Sequence, residues 1–153
     1  MNPHRAGIEP DHGLIEESLQ RAQSIQEVFK EEKWLTAEML NQLQAEPPSN
    51  QSLPAEDWKQ QGRIFGVTFE GQEYFPCYEF DTDHQPLLLI RDVLAAFGPF
   101  ADPWKIAAWF YYPNGRIVKS DGNGIRAIAP KDALDRRDDL MKALEKRKGT
   151  YVS

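Results

Sequence analysis

A chain of 153 residues is long enough to bury a core of its own, and a single cysteine, Cys77, excludes an internal disulfide. The formal net charge of -6 is unevenly spread. Residues 1–62 carry 11 acids and 5 bases, 63–100 carry 6 and 2, and 101–153 carry 7 and 11, so local balances of -6, -4 and +4 argue against phosphate-backbone binding anywhere but the last third. That third could face nucleic acid or an acidic protein surface, or be a solvated helix face. No apolar run approaches the roughly 20 residues of a membrane span, and the N-terminus shows no signal-peptide core. A cytoplasmic protein is therefore expected.

Residues 1–12 hold Pro, Gly and His with little apolar material and are expected to be disordered. Across 13–33, Ile15, Leu19, Ala22, Ile25 and Phe29 recur at steps of three or four, which predicts an amphipathic helix for packing or for homodimer formation. Thr36 is a good N-cap for a short helix from Ala37 to Leu43, with Met39, Leu40 and Leu43 turned inward. Ala45 to Leu53, with Pro47 and Pro48, reads as a loop. Pro54 then starts a second short helix through Trp58, with Gly62 as its C-terminal cap.

Arg63 to Phe69 and Glu73 to Phe80 read as two strands about Glu70-Gly71-Gln72, with Pro76 placing the second at an edge. Helix-loop-helix followed by a hairpin gives 34–84 the outline of a helix-turn-helix with a wing. Asp81 to Gln85 is a polar connector into the last region, 85–153. There Pro86 to Phe97 predicts a helix stopped by Gly98.

A strongly aromatic helix follows. Asp102 is its N-cap and Pro103 its first residue, Trp104, Trp109, Phe110, Tyr111 and Tyr112 lie along it, and Pro113-Asn114-Gly115 ends it. Its aromatics span most of the circumference, so some face the preceding helix and others a partner or the loop beyond. That loop, Asn114 to Pro130, carries Asp121-Gly122 and Asn123-Gly124 and reads as a second hairpin or a protruding ordered segment. Arg116, Lys119, Arg126 and Lys131 give it a basic rim. The final segment from Pro130 predicts one or two short helices ending near Lys148-Gly149.

A series of short motifs appears in one order: Leu35-Thr36-Ala37-Glu38; Gly62-Arg63-Ile64-Phe65-Gly66-Val67; Gly71 with Tyr74-Phe75-Pro76; Tyr78-Glu79-Phe80-Asp81; Val93-Leu94 with Phe97-Gly98; Asp102-Pro103-Trp104, Trp109-Phe110 and Pro113-Asn114; and Pro130-Lys131-Asp132-Ala133-Leu134. In this order the chain, from about Trp34 to Leu144, resembles the Xre/MbcA/ParS-type antitoxins, whose C-terminal domain neutralises a RES-type or related NAD-consuming toxin. The resemblance implies a mainly α fold with a small β-hairpin, in which a degenerate winged helix-turn-helix-like part precedes a helical toxin-binding domain. It also implies a cognate toxin as partner. Trp109 and Tyr112 would then be desolvated anchors, Asn114 would hold the loop, and Arg116, Arg126 and Lys148 would meet acceptors near an active-site mouth.

Two stretches depart from the family pattern. The would-be recognition segment, Gln44 to Asn50 and then Pro54 to Gln61, has Lys59 as its only base, and the Asn114 to Pro130 loop is longer than the family's. The alternative reading is a winged-helix transcription regulator, autoregulating its own operon.

Other chemistry has bland explanations. No histidine is tied to Cys77 by a recognisable pattern, Asp81, Asp83 and His84 lack the rest of a metal-ligand set, and Gly122 and Gly124 lack the Gly-Lys-(Ser/Thr) ending of a phosphate loop. No acid, base and nucleophile set emerges, so no enzyme, metal or cofactor is expected.

Overall fold

The computed structural model describes residues 12–46 and 53–151. The expected disorder of 1–12 thus concerns mostly residues outside that range, as does the Pro47–Ser52 part of the expected loop. The chain divides into two compact units, one ending at Glu31 and the other Glu32–Ser153. In the first, helix α1 spans His12–Glu31, close to the periodicity that predicts it, and its apolar stripe leaves Ile15 and Leu19 exposed.

The second unit begins with a two-residue strand, β1 (Trp34–Leu35), immediately before Thr36. Helix α2 (Ala37–Gln42) follows, and the Thr36 hydroxyl accepts the Met39 N–H at 3.2 Å as its N-cap. Only Leu40 of its three expected core residues is buried. Met39 and Leu43 are exposed, because six residues make under two turns and present a single position to the core. Helix α3 (Pro54–Gln60) ends where Gly62 was expected to end it. The Gly62 N–H donates to the Lys59 carbonyl and Arg63 to that of Trp58, with Gly62 at φ +73°, which is a Schellman cap.

Strands β2 (Val67–Phe69) and β3 (Gln72–Pro76) form the first hairpin. Its two-residue turn puts Glu70 at φ 50° and Gly71 at φ 80°, the positive angles that let a tight turn follow strand twist. The sheet order is β1-β3-β2, so β3 is central and the expected edge position for it is corrected. Pro76 is tolerated there because it is the last residue of β3, beyond the end of β2. Opposite β1 it pairs with Trp34, while the next bond runs from Cys77 N–H to the Lys33 carbonyl. Cys77–Glu79 is a 3-10 turn, where a continued strand was expected.

Helix α4 (Leu88–Phe97) starts two residues later than predicted, since Pro86 bridges back to Phe80. Gly98 stops it at φ 94°. Helix α5 (Pro103–Tyr111) follows with the Asp102 carboxylate accepting the Trp104 N–H at 3.0 Å. Strands β4 (Asn114–Asp121) and β5 (Gly124–Ile128) form a separate two-stranded ribbon, the second hairpin. A 3-10 turn, Pro130–Asp132, leads to a single helix, α6 (Arg137–Tyr151), where one or two short ones ending near Lys148-Gly149 were expected.

About half of the described residues are helical, in six helices, and the rest includes two small antiparallel sheets, where the family resemblance implies one small hairpin. Two apolar clusters carry the second unit. Leu35, Leu40, Ala55, Trp58, Ile64, Phe75 and Phe80 form one; Ile117, Ala133, Leu140 and Ala143, with Leu89, Trp109 and Ile128 against them, form the other. Phe110 is fully buried, stacked on Phe65 at 6.0 Å and close to Tyr78 and Trp109 at 4.9 and 5.0 Å. Gly66 is obligatory in the first half for space, since a Cβ there would lie 2.8 Å from the Phe75 ring.

Candidate partner-binding surface

The β4–β5 ribbon is built by the sequence about its turn. Asp121 Oδ1 accepts the Asn123 N–H at 2.8 Å and Gly124 takes φ +113°, so Asp-Gly-Asn-Gly closes the hairpin as its composition requires. Cross-strand partners share a face. Val118 pairs with Ala127 and Ser120 with Ile125, giving one mostly apolar face; Lys119 pairs with Arg126 and Asp121 with Gly124, giving a charged one. Both faces are exposed, with Val118 at 42% and Ile125 at 74%.

The ribbon's root differs from its tip. The register breaks between Asn114 and Val118, where β4 advances four residues against one in β5. This irregularity turns Ile117 inward to full burial beside Ala133 and Leu140, while Ile128 packs against the same cluster. Ile117 and Ile128 root the ribbon in the core, and the part beyond them projects.

The residues expected at the site fall into three groups. Trp109 is half-buried, edge-on to Phe97 at 5.6 Å and Phe110 at 5.0 Å, and its buried Nε1 has no hydrogen-bond partner among the described residues. It packs on Phe97 of α4 and on the cluster at the ribbon's root, and part of its surface stays exposed. Tyr112 is half-buried and edge-on to Tyr111 at 4.9 Å. Asn114 lies at the ribbon's root, its Oδ1 accepting the Arg116 N–H at 2.9 Å, an arrangement that holds the first turn of β4. Arg116 and Lys119 are exposed and make no ion pair among the described residues, whereas Arg126 lies 3.3 Å from Asp121. Lys131 is half-buried and held within the unit. Its ammonium is 3.1 Å from the Glu32 carboxylate and 5.1 Å from the Tyr111 ring centroid. Lys148 lies on α6, and its side chain is outside the described residues.

The structure brings Asn114, Arg116 and Arg126 together on the ribbon and adds two residues that the sequence reading did not single out, Val118 and Ile125. Their signal was present as alternation about the Asp-Gly-Asn-Gly turn, but which side of the alternation meets solvent is set by the irregularity at Gly115–Ile117.

A second exposed surface lies on α3. Glu56 and Asp57 face solvent, and Lys59 is committed to Glu73 at 2.8 and 3.1 Å with Glu56 at 3.5 Å; the Glu73 hydrogen bond raises its pKa above the usual lysine range. Among the described residues no group of three or more His, Cys, Asp or Glu is arranged to hold a metal. Burial raises the Cys77 thiol pKa, with Glu32 adding to it, which works against a reactive thiolate. Asp81 is a turn former, accepting the N–H groups of Asp83 and Gln85 at 2.8 and 3.0 Å.

The fold has a solved counterpart. The chain is similar to the NMR structure of Rv2175c. The superposition has a TM-score of 0.54 at 18% identity and covers 76% of this chain and 82% of that one. Rv2175c thus supports the architecture of mixed helices and small sheets, and at that identity it speaks for the fold alone. No family model matches the chain, and no curated protein matches it either.

One functional-looking group was missed altogether. Glu79 is fully buried; its Oε1 accepts the Phe65 N–H at 2.7 Å, and its Oε2 has no hydrogen-bond partner among the described residues. Desolvation raises its pKa well above the usual carboxylate range, against the opposing effect of the Phe65 bond. It joins the segment before β2 to the 3-10 turn after β3, so its part is structural. No helix among the described residues is long and apolar enough to cross a membrane.

Proposed function

We propose that this chain is an antitoxin-like protein that neutralises a cognate toxin of the RES or a related type by direct binding through the β4–β5 ribbon. The observation that carries the reading is the ribbon itself. It spends two residues, Ile117 and Ile128, on the core and leaves Val118, Ile125 and Ala127 together in solvent on one face, with Lys119 and Arg126 on the other and the exposed Arg116 nearer the root. An isolated two-stranded sheet is marginal on its own, and an apolar face kept exposed with cations at its edge matches the anchor-and-rim pattern of a protein interface. The motif order of the sequence supplies the partner class.

A second reading, a winged-helix DNA regulator, draws support from the element order: two short helices, α2 and α3, precede the β2–β3 hairpin, and β1 pairs with β3. The electrostatics of α3 oppose it, because the helix that would enter a groove exposes Glu56 and Asp57 while its one cation is neutralised by Glu73. We therefore read this part as degenerate.

Co-expression with a RES-type toxin, or with the protein encoded next to this chain, tests the proposal. Wild type is expected to restore growth and co-purify. Ile125→Asp, at a side chain 74% exposed, is expected to weaken binding at least tenfold while changing folding stability by less than about 0.5 kcal/mol. Full neutralisation by the Asp variant would remove the ribbon from the mechanism. Tight, sequence-selective and salt-sensitive DNA binding without any partner would favour the second reading.

A further inference from the structure

The β4–β5 ribbon is open along one edge. In this two-stranded sheet β5 pairs with β4 alone, whereas β4 also lies against α6. The outer edge of β5 carries no strand among the described residues, and none of the backbone bonds that close turns and loops there reaches Gly124 to Ile128. Such an edge presents N–H and C=O groups that a further strand can complete.

Strand alternation fixes what that further strand must bring. Next to Ile125 and Ala127 it meets the apolar face of the ribbon, and next to Arg126 it meets the charged one. The charged face sets two cations, Lys119 and Arg126, against one carboxylate, Asp121, which lies 3.3 Å from Arg126. With the Arg126 side chain 63% accessible, that ion pair is weak enough to be shared with an incoming acid.

We propose that β5 takes up, as a third strand along its outer edge, an extended segment of a partner protein in which acidic and apolar residues alternate. The acidic side chains lie on the face of Lys119 and Arg126, the apolar ones on the face of Ile125 and Ala127. The proposal rests on the ribbon as the partner-binding surface and states how that surface engages. A third strand adds apolar cover to a ribbon that two strands leave marginal. A second copy of β5 is the poorer occupant: Gly124 to Ile128 contains no carboxylate, and edge-to-edge pairing about Arg126 sets guanidinium beside guanidinium. The cation that holds two copies apart is thus the one that selects an acidic strand.

The probe is a fluorescently labelled peptide of about seven residues alternating Val and Glu, titrated with the full chain up to about 1 mM and read by anisotropy. It is expected to bind, and a Val/Lys peptide to bind about tenfold more weakly or not at all. Arg126→Glu is expected to reverse that preference with a thermal midpoint near wild type, since the side chain is exposed. N-methylating either all the Glu or all the Val residues removes the N–H groups along one edge of the peptide, so one set is expected to abolish binding and the other to leave it. Equal behaviour of the two methylated peptides, equal binding of the Val/Lys peptide, or no binding up to about 1 mM overturns the proposal. The co-expression assay contains no peptide and judges the ribbon separately: neutralisation that Ile125→Asp abolishes, without peptide binding, keeps the ribbon as the surface and removes strand addition.

Discussion

The two small sheets of this protein are built from similar material and put to opposite uses. The β1-β3-β2 sheet turns its side chains inward: Phe75 and Val67 are buried, Gly66 is held against the Phe75 ring, and the carboxyl of Glu79 is sealed beneath. The β4–β5 ribbon buries Ile117 at its root and sends the remainder into solvent. Both hairpins satisfy their backbone locally through glycine-containing turns, so strand formation does not separate them. What separates them is the covering layer. Helices α2 and α3 contribute Leu40, Ala55 and Trp58 over the first sheet, while nothing among the described residues covers the tip of the ribbon. Exposure of an apolar face on one sheet of a molecule that covers its other sheet so fully is the reason for reading the ribbon as an interface.

The comparison breaks most sharply at Phe110, fully buried and in ring contact with Phe65, which leads into the first hairpin, and with Trp109, which packs on the cluster at the ribbon's root. Phe110→Ala is expected to destabilise the second unit by about 3–5 kcal/mol, measured by chemical denaturation, since the ring packs against Phe65, Tyr78 and Trp109 with no solvent to refill the space. An effect below about 1 kcal/mol would mean the two clusters fold independently of that ring.

Gly66→Ala isolates the first sheet. The added methyl must displace the Phe75 ring or the Glu73 carboxylate, which lies 2.9 Å from the ideal Cβ and is held by Lys59, so a loss of about 1–3 kcal/mol is expected. The equivalent change on the ribbon, Gly122→Ala, meets open space and should fall within about 0.5 kcal/mol of wild type.

Glu79 gives the comparison a pH signature. Its folded pKa lies above its unfolded value, so the folded state binds the extra proton, and stability is fully present below the unfolded carboxylate pKa and falls as pH rises toward the folded one. Glu79→Gln keeps an oxygen for the Phe65 N–H and removes the titration. The variant should therefore show a flatter dependence of thermal midpoint on pH above the ordinary carboxylate range, and should be the more stable chain at pH 8. Parallel profiles for the two would place the carboxyl in contact with water. On the ribbon, by contrast, Ile125→Asp should leave the midpoint nearly unmoved at any pH and register only in partner binding.

Much of this architecture was legible in the chain because local physics decides it. Thr36 and Asp102 cap α2 and α5, Gly62 and Gly98 stop α3 and α4, and Glu70-Gly71 and Asp121 to Gly124 turn the hairpins, each through bonds or angles confined to a few neighbouring residues. Even the apolar alternation of the ribbon was written there. Tertiary structure alone decided the rest. Whether Trp109 faces a partner or the Phe97 ring depends on where α4 lies, and whether Pro76 marks an edge depends on a two-residue strand forty positions earlier. That Glu79 reaches the Phe65 amide, and that Phe100 and Ile125 find no cover, are likewise facts of packing. Periodicity reports which residues share a side of an element; burial depends on what the rest of the chain brings against that side.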